Sequence, residues 1–388
     1  MKFYFFHLMA YQGLTPETLQ QYRSVWVDLP NQYYDPELGN TLYNNYLDQL
    51  EYAEQLGFDG VCVNEHHANA YGNMPSPNIM AAMLARRTQR VKIAILGNAL
   101  PLHAYPLRVA EEIAMMDVVS KGRIISGFVR GIGCEYHIFN INPTQSRARF
   151  QEAHDLILRA WTEPGPFSFH GKYFQLNYVN PWPRPYQQPH PEVWIPSQGS
   201  GETLEWAAQP ERKYTYVQTY TPAKNVKLFF DEYRRFADEA GYTASDDQLG
   251  WALPIYVAQT DAKAYEEAKP HIELFFNKLL NFPPEYGFPP GYSSPESQRK
   301  VRALKGYVTR GSLTAKDMIE QGLILVGSPN TIVDQLKEHH KNLGFGHLIG
   351  TLHFATLPHA QTMKNLEMFS QEVMPHIRHL GSEASIPN

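Results

Sequence analysis

The sequence predicts an α/β protein closed into a (β/α)8 TIM barrel, and three observations carry that expectation. Eight short apolar segments recur along the 388 residues, a helical pattern follows each of them, and polar or glycine-rich clusters stand where three of the segments end. Alternation of strand and helix implies parallel strands joined by crossover helices, and eight such units favour closure over an open sheet. A doubly wound sheet with an added domain is the other architecture that the pattern admits. Residues 1–380 read as one domain with two insertions, one after the fourth strand and one in the seventh repeat. Residues 381–388 read as a loose tail.

The predicted strands are residues 3–8, 60–64, 91–96, 123–127, 193–196, 214–217, 253–257 and 347–352. The first follows a single lysine, too little basic and apolar chain for a signal sequence, so it reads as a buried strand. Leu42, Tyr46, Leu50, Ala53 and Leu56 then keep helical spacing up to the helix stop Gly57. Val61-Cys62-Val63 is apolar enough to be buried on both faces, as parallel strands are. Pro106 starts a helix over 108–119 that Lys121-Gly122 stops, and Thr144 begins another that runs to Trp161 before Glu163-Pro164-Gly165-Pro166. Residues 167–191 form the first insertion, with a hairpin predicted at His170-Gly171-Lys172. The second, around 281–292, carries Phe282, Tyr286, Phe288 and Tyr292 among prolines and reads as a lid over a pocket.

Composition excludes several classes. A formal charge of -5, a pI near 6.3 and no basic run argue against a nucleic-acid or anionic-membrane partner, which leaves a small-molecule ligand. No apolar run of 18 residues is present, so no spanning helix is expected. Cys62 and Cys134 lie far apart in no redox or metal spacing, so a cytoplasmic protein without disulfides is expected. Aromatic residues make up 13% of the chain, which suits a pocket for a flat ligand and an ordinary core equally.

Glu65-His66-His67 stands at the end of the second strand, where parallel barrels bind ligands. Neighbouring side chains of an extended strand point to opposite faces, so both imidazoles cannot readily share one ion and no metal is expected. One histidine facing the barrel mouth would serve as an acid or base; a histidine satisfied under the next loop is the bland alternative. Arg130 follows the fourth strand among Gly127, Gly131 and Gly133, where a guanidinium can fork onto phosphate, or where the chain simply turns tightly. Ser197 to Thr203 opens a helix that would bind an anion, with a plain Ser200 N-cap as the alternative. No nucleophile elbow, Walker loop or catalytic triad order is visible, so the difficult chemistry falls to a cofactor.

Taken together, Gly57-Phe58-Asp59-Gly60 with Asn64-Glu65-His66-His67, the 100–112 stretch, Ser120-Lys121-Gly122-Arg123 with Phe128-Val129-Arg130-Gly131, and Glu205-Trp206-Ala207-Ala208 resemble the bacterial luciferase-like flavin monooxygenases. The resemblance covers residues 1 to about 220 and continues more weakly through Gly327-Ser328-Pro329. It implies a barrel, commonly a homodimer, that takes reduced FMN from a separate flavin reductase. With O2 it would oxygenate a small or medium apolar organic substrate through a flavin C4a-peroxide. By the same resemblance His66 is the catalytic residue beside the reactive flavin edge, and Arg130, Gly199, Ser200 and Thr203 hold the FMN phosphate. Asn98, Gly97 and Glu65 complete the cofactor set, with a non-prolyl cis peptide expected between Leu96 and Ala99. Val129 replaces the reactive cysteine of the luciferase catalytic subunit, so light emission is not implied. The 100–106 stretch is also one residue longer. A deazaflavin (F420)-dependent dehydrogenase on the same barrel, or a flavin-binding protein without turnover, are the alternatives.

Overall fold

The computed structural model describes residues 1–304 and 313–381. Eight parallel strands run in the order β1 (Lys2–Phe6), β2 (Gly60–Val63), β3 (Lys92–Ala99), β4 (Ile124–Val129), β7 (Glu192–Ser197), β8 (Thr215–Thr219), β9 (Leu249–Val257) and β11 (His347–Thr351), and β11 pairs back onto β1. The sheet is therefore closed, a (β/α)8 barrel, as the alternation predicts. Strand residues are buried on both faces: Val61, Cys62 and Val63 expose nothing, and all nine residues of β9 are buried. Inside the barrel Tyr4 packs on Trp194 and His347 at ring-centroid distances of 5.0 and 5.7 Å, reaching across from β1 to β7.

Every strand lies within two residues of its predicted bounds except two, which differ by three or more. β9 begins at Leu249, because Gly250 and a run with no polar alternation hide its first residues in the sequence. β3 continues to Ala99, with its register against β4 shifting between Ile95 and Asn98, where the Leu96–Gly97 peptide is cis. Glycine is required there: a Cβ on Gly127 would lie 1.9 Å from the Ile95 carbonyl oxygen, and one on Gly97 would lie 2.4 Å from that of Gly127. A short additional strand, β10 (Leu325–Gly327), pairs with the last residues of β9.

Both predicted insertions are present. After β4, the antiparallel hairpin of β5 (Phe167–His170) and β6 (Gln175–Val179) is pinned by Glu152, whose carboxylate accepts the N–H groups of Lys172, Tyr173 and Phe174 at 2.9, 2.8 and 2.7 Å. In the seventh repeat the lid segment is more ordered than a plain loop: a π turn at Phe275–Leu279 leads to short helices at Pro284–Gly287 and Pro295–Leu304. Among the described residues no helix is long and apolar enough to cross a membrane. Residues 382–388 of the expected tail lie outside the described residues.

Candidate active site

A cavity opens where the strands end. Phe6 of β1, Asn64 to His66 after β2, Leu96 of β3, Phe128 to Arg130 at the end of β4, Ile195 to Ser197 of β7, and Thr219 and Tyr220 at the end of β8 form part of its wall. Phe282, Phe288 and Tyr292 of the seventh-repeat insertion line it too. The wall is mostly apolar, and its ionisable groups divide into two clusters.

The first cluster surrounds His66. Its Nδ1 lies 3.1 Å from Glu135 Oε1; Glu135 has no exposed surface, and its second oxygen accepts the Ile132 N–H at 2.7 Å. The imidazole meets the rings of Trp26 and Tyr71 edge-on, each at a centroid distance of 5.3 Å. Among the described residues no protein group hydrogen-bonds Nε2. His67 turns the other way and bonds Glu65 Oε1 at 2.9 Å, so the adjacent imidazoles reach different carboxylates. Glu65 Oε2 accepts the Ala99 N–H at 3.0 Å and lies 3.3 Å from His103 Nε2. Burial pushes the Glu65 carboxyl up, but the bonds from His103 and His67, the His103 charge and the Ala99 N–H outweigh it and hold it down at about 2. Burial pushes His103 down in turn, and the hydrogen bond and charge of the Glu65 carboxylate more than reverse this, raising the imidazole above its ordinary value. Glu65 thus ties the end of β3 to the segment after β2.

The second cluster is cationic. Arg130 donates to the Tyr292 carbonyl at 2.7 Å and to Ser146 Oγ at 3.3 Å, with its guanidinium 4.5 Å from the centre of the Tyr292 ring. Among the described residues no carboxylate forms an ion pair with it. Arg147, also on the wall, lies 3.5 Å from Glu202, which accepts a bond from Ser297 at 2.9 Å. Burial pushes the Arg147 guanidinium down, and the Arg130 charge pushes it the same way. Ser200 and Thr203 share a hydrogen bond of 2.7 Å on the same wall. Two guanidiniums that repel one another, one carboxylate and a hydroxyl pair form a set that an added phosphate would complete. The residues present therefore fit the phosphate of a mononucleotide, and the rest of the wall, with Leu96, Phe6 and Ile195, is apolar enough for a flat ring.

Of the residues singled out in the sequence, His66, Glu65, Arg130, Ser200 and Thr203 converge on the cavity; Asn98, Gly97 and Gly199 do not line it. Asn98 is buried, and neither atom of its amide has a hydrogen-bond partner. Gly97 permits the close passage of β3 and β4. Gly199, at φ +98, lets the chain pass Phe229, whose ring a Cβ would meet at 2.2 Å. Arg147 and Glu135 were missed, although Arg147 follows Ser146 at the start of the Ser146–Thr162 helix and Glu135 follows Arg130 by five residues.

A family model described as luciferase-like monooxygenase matches residues 24–347. An uncharacterized protein, y4wF of Sinorhizobium fredii, is 30% identical over 352 residues, 88% of this chain and 94% of that protein. The limonene 1,2-monooxygenase of Rhodococcus erythropolis is 25% identical over 344 residues, covering 85% and 80%. Two solved structures are similar in fold. The oxygenating constituent of 3,6-diketocamphane monooxygenase from Pseudomonas putida, a type II Baeyer-Villiger monooxygenase in complex with FMN, superposes with a TM-score of 0.71 at 18% identity over 100% of this chain and 99% of that one. The coenzyme F420 dependent tetrahydromethanopterin reductase from Methanopyrus kandleri does so with a TM-score of 0.66 at 18% identity over 97% and 99%. The chain belongs to the luciferase-like monooxygenase family.

Proposed function

We propose that this chain is the oxygenase component of a two-component, cytosolic system that takes reduced FMN from a separate reductase and uses O2 to oxygenate a small or medium apolar substrate. The carrying observation is what the cavity wall brings together: an arginine without a carboxylate partner among the described residues, an imidazole with a free Nε2, and a mostly apolar lining. Arg130 and Arg147, with the Ser200 and Thr203 hydroxyls, would hold the FMN phosphate, and Leu96, Phe6 and Ile195 would receive the ring. Reduced FMN, when bound, supplies the electrons that activate O2 for transfer of one oxygen atom to the substrate. His66 holds or releases a proton at Nε2 beside that ring. Phe282, Phe288 and Tyr71 exclude water, which wastes reduced flavin as hydrogen peroxide. The ionisable groups on the wall are either beside Arg130 or paired, as His66 is with Glu135 and Glu65 is with His103. That pattern suits an uncharged substrate.

The deazaflavin (F420)-dependent dehydrogenase remains the second reading, favoured by the similarity in fold to the F420 dependent reductase. One experiment separates the two. The enzyme is incubated with enzymatically reduced FMN, labelled O2 and a panel of aldehydes, ketones and terpenes, and in parallel with the oxidised deazaflavin and alcohols. Label in an organic product is expected. Deazaflavin reduction without O2 uptake would overturn the oxygenase reading.

A further inference from the structure

Glu135 is the one carboxylate among the described residues in contact with the imidazole on the cavity wall. It reaches that ring from the Gly133–Ile138 helix, just after the phosphate arginine, and no part of it is exposed. We propose that Glu135 is a positioning residue that holds neutral His66 in the tautomer with its proton on Nδ1, so that Nε2 presents a lone pair to the cavity. The inference deepens the oxygenase reading and rests on it for its catalytic meaning.

An ionised carboxylate only accepts hydrogen bonds, so the 3.1 Å contact is made when Nδ1 carries the proton. The carboxylate cannot easily turn away, because its other oxygen is held by the Ile132 N–H at 2.7 Å. The ring is confined as well: Trp26 and Tyr71 bracket it, and Gly72 approaches so closely that a Cβ there would lie 3.1 Å from His66 Cδ2. Other titratable groups nearby are engaged elsewhere or are neutral. On the segment of His66 itself, Glu65 and His67 bind each other, and the Tyr71 phenol flanks the ring. Around the Glu135 carboxylate stand Cys134, Tyr136 and Tyr292, all pushed up by burial, and the Arg130 charge acts on both tyrosines. Neutral His66 therefore takes a proton at Nε2 from a group bound in the cavity and keeps its Nδ1 proton against Glu135. It returns the Nε2 proton when the ring becomes neutral again.

A purely structural Glu135 would cap its helix through Ile132 and leave the tautomer unbiased. Nitrogen NMR of 15N-histidine-labelled enzyme without flavin tells these apart, with the His66 signals assigned by their loss in H66Q. At a pH where the ring is neutral, the wild type should show an unprotonated, pyridine-type Nε2 and a pyrrole-type Nδ1. E135Q keeps an acceptor for the Ile132 N–H, but its amide can also donate to the ring, so both tautomers should appear. A wild-type ring with its proton on Nε2 overturns the proposal, a result that needs no variant to fold. An E135Q spectrum identical to the wild type also overturns it, provided thermal unfolding shows the variant folded. The readout requires neither flavin nor turnover, so failure to find any oxygenated product would sink the oxygenase reading and leave the Glu135 assignment to be judged on the tautomer alone.

Discussion

Arg130 and His66 line one cavity, and each does what its surroundings leave it free to do. An arginine without a carboxylate partner is an anion site, and an imidazole with one nitrogen held and the other open is a proton carrier. His66→Ala should bind FMN as the wild type does and lose product per reduced flavin by about 100-fold or more, the smaller end of what a positioned acid or base contributes. Hydrogen peroxide release should rise to match; an unchanged product yield would remove His66 from the chemistry. His66, Arg130, Ser200 and Thr203 were legible in the sequence because each stands directly after a predicted strand in a contiguous polar or glycine-rich run. Arg147 and Glu135 were not, because their roles come from tertiary contacts that no local pattern encodes: Arg147 pairs with Glu202 on another helix, and Glu135 meets a histidine 69 residues away.

At the scale of elements, the site depends on how closely β3 and β4 pass. The Ala99 N–H that binds Glu65 ends β3, and the path of that strand lies against Gly127. Gly127→Ala should destabilise the fold by about 2 kcal/mol or more, since its methyl would collide with backbone that has no room to move. Denaturant unfolding checks this, and a change within about 0.5 kcal/mol, typical of a harmless surface substitution, would contradict it. The strands themselves were legible from short apolar runs between helical patterns. What hid was the start of β9, where a fully buried strand shows no alternation, and β10, three residues long within a predicted helical repeat. The hairpin at His170-Gly171-Lys172 was readable from its turn residues, whereas the Glu152 carboxylate that fastens it was not.

At the scale of the whole molecule, buried ionisable groups set the response to acid. The Glu65 carboxyl is held at about 2 against an ordinary value near 4.5, so the unfolded chain binds that proton first, and the stability it confers is lost as pH falls from 4.5 towards 2. Burial pushes His7, stacked 4.4 Å from His353, down to about 3 from 6.5, with its bond to Gln49 acting the other way. Its unfolded form therefore protonates first below pH 6.5, and stability falls from there towards pH 3. Both effects run in the same direction, so the melting temperature should drop steadily below pH 6.5. His7→Gln should flatten the decline between pH 6.5 and 4.5, where the histidine accounts for about 2 kcal/mol. An equally steep decline in the variant would contradict this. Assembly belongs to the same scale: Ile79 and Met83 on the Pro77–Arg87 helix and Met115, Val118 and Val119 on Pro106–Ser120 are exposed on two packed helices, which suits a homodimer. Met115→Asp with Val118→Asp should convert a dimer to a monomer by light scattering; a wild type that is already monomeric would refute that arrangement.

The central claim is that the arginines on the cavity wall hold the phosphate of a flavin mononucleotide. Titrating the enzyme with FMN and with riboflavin, which lacks the phosphate, tests it most directly. The wild type should prefer FMN, and Arg130→Ala should weaken FMN by roughly 10- to 150-fold, the equivalent of about 1.5–3 kcal/mol for a charge-assisted contact, while leaving riboflavin unchanged. Equal affinities for the two flavins in the wild type, or an FMN affinity indifferent to Arg130, would contradict the account.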